Sequence, residues 1–330
     1  MKKIVIASLN KNAGKTTVAL AIALKSMAKI GYMKPFGDNP YYKGKKLSDY
    51  DAFLFKELFG IENAIEEFCI GLHHSKIEHF YENIKDEILK RYESLSKGKE
   101  MFIIESNEYI WRGASIKLDA ISISEILDAN LIFVLNGDYH EIMDKAHYIS
   151  KMKKKAGIIL NMVEKEEAER IKENVEEIGL DYFGYIPYIE KLKTIKVKYV
   201  AEKLFAKVIA GESGLDRYIE NIFIAALSVP EIKRHPDFKK RNKLIITGGD
   251  RSDVIAACIE NGTSCIILTN NIIPSANIIA KANEKEIPLL SLRPDTYTVA
   301  KLVENIQPVI LPDEKEKIEE IKNMERIEIT

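Results

Sequence analysis

The residues best suited to chemistry stand near the start of the chain, where Gly14-Lys15-Thr16 follows a short apolar run. A glycine, a lysine and a hydroxyl residue in that order, between a strand and a helix, suit the binding of a triphosphate. Gly14 lets the backbone approach phosphates closely. The amide groups of Asn12, Ala13, Gly14, Lys15, Thr16 and Thr17 sit at the positive end of the following helix and face the anion. Lys15 is placed to reach the β and γ phosphates, and the Thr16 hydroxyl can ligate Mg²⁺. The leading glycine of the common G-x-x-x-x-G-K-[ST] pattern is missing. Gly-Lys-Thr at a helix start can also arise by chance, with the threonine a mere cap. A strand, a loop and a helix in the right order argue against that.

These residues need a scaffold. Short apolar runs at 4–7, 101–104, 131–135, 158–160 and 182–186 alternate with amphipathic stretches at 17–28, 77–92, 141–154 and 166–178. Such alternation predicts a parallel sheet covered by helices on both faces. Strands buried on both sides should be continuously apolar, as these are. The Gly211-Glu212-Ser213-Gly214 stretch suits a linker. Beyond it a second series begins, with strands at 243–246, 265–268 and 288–292 and helices from about 251, at 276–283 and at 298–305. Residues 313–330 read as a charged, solvated helix or tail.

A chain of 330 residues, 46% hydrophobic and 30% charged, fits two globular domains. Lys and Arg number 49 against 50 Asp and Glu, so no global charge draws it to nucleic acid or an anionic membrane. The three cysteines have no metal-ligand spacing and form no even disulfide set, which suits a reducing, cytoplasmic setting. The apolar start breaks at Asn10 and Lys11, too early for a secretory signal, and no run is long enough to span a bilayer. Abundant Lys, Glu and Ile suit a heat-adapted source.

Two details narrow the loop's class. Partition-type ATPases carry a signature lysine five positions before the loop lysine, and that position is Asn10 here. No N-K-x-D base-reading motif is present, which favours ATP over GTP. The stretch Ser8 to Thr16 resembles the loop of the dethiobiotin synthetase group, longer by one residue than the common form. Gly31-Tyr32-Met33-Lys34-Pro35-Phe36-Gly37 is similar to that group's second-strand motif. Asp49-Tyr50-Asp51-Ala52 before a helix, Glu105 ending a strand, Asn161 ending another and Tyr185-Ile186-Pro187 agree with it. The nearer resemblance is to the synthetase-like N-terminal region of long phosphate acetyltransferases and its stand-alone archaeal relatives. Gly113-Ala114-Ser115, Leu118-Asp119, residues 121–125 and Gly214-Leu215-Asp216-Arg217 carry it. Thr247-Gly248-Gly249-Asp250-Arg251-Ser252-Asp253 resembles the signature of a DRTGG domain, with Ser252 in place of threonine.

The resemblance implies an α/β fold: a P-loop NTPase domain over 1–210, a smaller α/β DRTGG-like regulatory or dimer-forming domain over 211–312, and a tail over 313–330, with no acetyltransferase domain. It implies ATP and Mg²⁺ as ligands. Lys15 and Lys34 would act on phosphate or on a small anionic substrate. Thr16, Asp51 and Glu105 would hold Mg²⁺. Asn161 would bond the adenine edge, beside Pro187. For three of them a plainer role exists: a strand-end lysine for Lys34, a helix cap for Asp51, a turn residue for Asn161. Ser106-Asn107-Glu108-Tyr109 replaces the group's small residues after the glutamate, which argues against a diaminopelargonic acid pocket. Two readings stay open. One is a homodimeric nucleotide sensor that reports to a metabolic enzyme. The other is an ATP-dependent ligase that activates a carboxylate or carbamate.

Three weaker signals remain. Gly248-Gly249-Asp250-Arg251 could bind an anion, though a tight turn with Asp250 as helix cap is the simpler reading. Cys69, His73, His74 and His79 lie close in sequence, but an expected loop before Ile77 speaks against a metal site. Trp111, the single tryptophan, suits a partner anchor or the core equally.

Overall fold

The fold was read from a computed structural model, which describes residues 1–43, 45–152, 156–324 and 327. The ends of two predicted stretches, at 153–154 and beyond 324 apart from Ile327, lie outside the described residues. The chain forms two compact units, Met1–Ile189 with Ile310–Thr330, and Glu190–Val309.

The first unit runs β1 (Lys2–Ala7), α1 (Lys15–Lys25), β2 (Ile30–Met33), β3 (Pro40–Lys43), β4 (Lys46–Asp49) and α2 (Tyr50–Leu58). It continues α3 (His74–Phe80), α4 (Ile84–Leu95), β5 (Met101–Glu105), α5 (Ala120–Leu127) and β6 (Asn130–Leu135). Then come α6 (Tyr139–Met152), β7 (Gly157–Asn161), α7 (Lys165–Glu177) and β8 (Asp181–Ile186). Six strands form one parallel sheet in the order β2-β5-β1-β6-β7-β8. β2, β5 and β7 are buried at every position, which is why their sequences are apolar up to Glu105 and Asn161, which end β5 and β7. The ends of β1, β5 and β7 deliver the phosphate loop, Glu105 and Asn161 to one edge of the sheet.

Two local features depart from the periodicity. The stretch at 77–92 is two helices rather than one. Tyr81 is extended, and the Asn83 side chain accepts from the Asp86 N–H to start α4. An antiparallel hairpin, β3 against β4, was also not expected, and it carries Asp49 to the site.

The second unit contains β9 (Ile195–Lys196), α8 (Val197–Lys203), β10 (Lys207–Ala210), β11 (Tyr218–Ile219), β12 (Asn221–Ile224) and α9 (Val229–Arg234). It adds β13 (Lys243–Gly248), α10 (Ser252–Ile259), β14 (Thr263–Thr269), α11 (Ala276–Glu284), β15 (Leu289–Ser291) and α12 (Thr296–Glu304). Its main sheet has the order β10-β15-β14-β13-β12, parallel except at β10. Gly211 to Gly214 lies inside this unit, after β10. Gly249 is required by packing, since a Cβ there would meet the Ile272 carbonyl oxygen at 1.8 Å. The turn is closed by the Arg251 N–H donating to the Gly248 carbonyl at 3.2 Å. Arg251, not Asp250, takes the helix-cap position, without a side-chain cap bond. Its guanidinium donates to the carbonyls of Ala225 and Leu227.

After the second unit the chain returns to the first. α13 (Lys315–Lys322) packs on α1. The expected solvated tail is thus a docked helix, with Ile321 and Lys317 fully buried and the Lys317 ammonium 2.9 Å from Glu314.

Candidate functional site

The loop between β1 and α1 takes its shape from two left-handed residues, Asn12 at φ 61° and Gly14 at φ 85°. Gly14 occupies the helix N-cap, and its carbonyl accepts the first helical bond from the Val18 N–H at 3.0 Å. The next two residues point their side chains inward. Lys15 is 7% exposed, and its Nζ donates to the Ser8 hydroxyl at 3.2 Å. Burial holds its pKa below the usual lysine value, with Glu105 acting in the opposite sense. The Thr16 hydroxyl donates to Glu105 Oε1 at 2.8 Å.

Glu105 ends β5 and is 1% exposed. Its other oxygen accepts from the Tyr32 hydroxyl at 3.0 Å, and the Tyr32 ring stacks on Phe55 with centroids 3.9 Å apart. Burial, with the Asp51 charge, pushes the Glu105 carboxyl up to about 8, against the pull of Lys34, Lys15 and Thr16.

Lys34 closes the arrangement. It is 1% exposed. Its Nζ lies 2.5 Å from Asp51, 2.7 Å from Asp38, 3.3 Å from Asp49 and 4.0 Å from Glu105. Burial alone would lower its pKa, but these carboxylates raise it well above the usual lysine value. The same ammonium holds Asp38 below the usual carboxylate range despite its burial. Asp49 is anchored differently. It accepts from the backbone N–H groups of Asp38, Asn39 and Asp51 at 2.8 to 2.9 Å. Burial, with Asp51 and Asp38 nearby, pushes it to about 7. Asp49 is the cap of α2, which leaves the Asp51 side chain free for Lys34.

The structure therefore brings Lys15, Thr16, Lys34, Asp51 and Glu105 together. Asp38, Asp49 and Tyr32 complete the cluster, and none of them was singled out from sequence as a site residue. The four-residue step from Lys34 to Asp38 and the acidic pair Asp49/Asp51 were the available signals. Asn161, 4% exposed, lies against the phosphate loop, where its Nδ2 donates to the Ala13 carbonyl at 2.8 Å. Pro187 follows the end of β8 and is half-buried; Thr17 is also half-buried. Lys11, one position from the partition-type signature, pairs with Glu108 at 2.6 Å.

The oxygen donors suit a hard divalent cation, but the Lys34 ammonium already stands 2.5 to 3.3 Å from Asp38, Asp49 and Asp51. Among the described residues, the acidic group that could hold a metal is Asp38, Asp49 and Asp51. The histidines do not join it. His74 packs edge-on against Phe36 at 4.8 Å, His79 against Phe80 at 5.1 Å, and burial pushes the Cys69 thiol up to about 12. Trp111 is 60% exposed and stacks on Tyr109, so it is not a core residue.

A parallel sheet whose first strand feeds a Gly-Lys-Thr loop and a helix defines the P-loop NTPase fold class. The family model for AAA domains matches residues 2–196, and that for DRTGG domains residues 199–306. The chain belongs to this AAA-domain family and carries a DRTGG domain behind its P-loop domain. The phosphate acetyltransferase of Synechocystis sp. is 23% identical over 342 residues, covering 95% of this chain and 48% of that protein. The chain spans about half the length of the curated relatives it matches. Among solved structures, the putative plasmid partition protein of Borrelia burgdorferi bound to AMPPNP is 15% identical with a TM-score of 0.38, covering 58% of this chain and 88% of that one. The CBS and DRTGG domains of a Clostridium perfringens pyrophosphatase, complexed with diadenosine tetraphosphate, are 24% identical with a TM-score of 0.31 over 36% of this chain and 51% of that one. The expected P-loop domain joined to a DRTGG domain, similar to the N-terminal region of phosphate acetyltransferases, is thus met.

Proposed function

We propose that the chain binds Mg²⁺-ATP at the Gly14-Lys15-Thr16 loop and acts as a cytoplasmic, homodimeric nucleotide sensor that reports to a metabolic enzyme. The observation that carries the nucleotide site is the convergence of Lys15, Thr16 and Glu105 at one sheet edge. Lys15 and the loop amides would hold the phosphates. Thr16, Glu105 and Asp51 would hold Mg²⁺, which supplies charge neutralisation between the phosphate oxygens. Asp49 positions Asp51 through its bond to the Asp51 N–H.

The ligase reading needs a cation at the site to receive an anionic substrate. Lys34 was the residue for that task, and its ammonium is engaged by Asp38, Asp49 and Asp51. That engagement favours a sensor. ATP turnover across pooled small carboxylic and amino acids tests it. The sensor binds ATP with no substrate-stimulated turnover. Substrate-stimulated turnover by the wild type would favour the ligase instead.

Cation binding should release a proton. Burial pushes the Glu105 carboxyl up to about 8, which favours its protonated form at neutral pH, and a cation needs the carboxylate. Mg²⁺-dependent ATP affinity then rises with pH toward about 8, by up to roughly tenfold per unit, and levels above it. Calorimetry in two buffers of different ionisation heat reads the proton directly. Equal heats in both would contradict a protonated Glu105. For stability the sign is opposite. A carboxyl raised from its ordinary value to about 8 contributes stability at low pH that is lost as pH rises through 8.

A further inference from the structure

We infer that Asn161 is a positioning residue that holds the phosphate loop in its binding shape, whatever base the nucleotide carries. This rests on the reading that the loop binds a triphosphate. Asn161 stands at the C-terminal end of β7, 148 residues away in sequence from the loop residue it touches. Two contacts fit it to adjacent loop residues. Its Nδ2 donates to the Ala13 carbonyl at 2.8 Å. The same nitrogen fills the space beside Gly14, where a Cβ would meet Nδ2 at 2.0 Å and Cγ at 3.2 Å.

The bond to Ala13 has a geometric consequence. In a trans peptide the carbonyl and the following N–H point in opposite directions. Fixing the Ala13 carbonyl on Asn161 therefore turns the Gly14 N–H to the other side of the loop, away from Asn161. It also satisfies a carbonyl on a buried residue that would otherwise lose its partner. Gly14 is then glycine for two reasons, its φ of 85° and the amide packed against it. An amide nitrogen carries two N–H donors, and one of them is spent on the loop here.

The test measures binding of ATP, GTP and inorganic tripolyphosphate, each with Mg²⁺, to the full chain and its variants. Asn161→Ala should weaken all three by about the same factor, on the order of tenfold for one lost buried hydrogen bond. The ratio of ATP to GTP affinity should stay at the wild-type value. Asn161→Asp, which places a second acceptor against the Ala13 carbonyl, should lose more. Gly14→Ala should cost less affinity in the Asn161→Ala background than in the wild type, since the space for its Cβ is then open. Thermal melts identify folded variants, and Asn161→Ser is read in the same way if Asn161→Ala does not fold. A loss confined to ATP would make Asn161 a base reader and overturn the inference. So would wild-type affinity for all three ligands in Asn161→Ala. Failure of the wild type to bind any of the three would instead refute the loop assignment itself.

Discussion

Lys34→Met should destabilise the first unit by about 3–5 kcal/mol at neutral pH, the range for a buried ion pair that loses one partner. The methionine matches the lysine stem in length, so the loss reports charge rather than volume. Lys34 is held by Asp38, Asp49 and Asp51 and is almost wholly buried. Without it, Asp38 loses the cation that keeps it ionised, and the three carboxylates are left within 4.8 Å of one another. They can be relieved only by protonation or by another cation. The deficit should therefore shrink as pH falls toward 5, and Mg²⁺ should recover part of it. Urea melts of both proteins at two pH values check this. Equal stability at pH 7 would show that the cluster does not depend on Lys34.

Lys15→Ala should weaken ATP binding on the order of 100-fold, the scale of one charge-assisted bond to phosphate at its upper range. The same variant should keep its fold. The Lys15 ammonium is desolvated and donates to the Ser8 hydroxyl, which itself donates to the Asn10 carbonyl at 2.8 Å. Removing it takes away a buried charge and leaves the Ser8 donor satisfied. The melting temperature should not fall, while affinity collapses. A variant that binds ATP as the wild type does would refute the role given to Lys15. One that unfolds would show that Lys15 serves the fold.

The two substitutions separate what a sequence discloses from what it conceals. Lys15 and Thr16 were readable because loop, strand and helix are contiguous and the chemistry sits in the local order of residues. Glu105 was readable because a carboxylate closing a fully buried strand needs a partner. The alternation of strands and helices followed from burial on both faces of a parallel sheet. Lys34 could be placed at its strand end, but not among its carboxylates. Asp38 and Asp49 reach it through the turn before β3 and the β3–β4 hairpin, strands of four residues each, too short for periodicity to announce. The contact of Asn161 with Ala13 crosses 148 residues, and no local pattern encodes it. The break between α3 and α4 turned on one capping side chain, Asn83. The docking of α13 on α1 depends on a buried face that the surrounding charge disguised.

Calorimetric titration of the full chain with ATP, in the presence and absence of Mg²⁺, tests the central claim most directly. The account predicts saturable binding that tightens with Mg²⁺ and weakens on the order of 100-fold in Lys15→Ala. A flat titration of the wild type, or one indifferent both to Mg²⁺ and to Lys15, would contradict it.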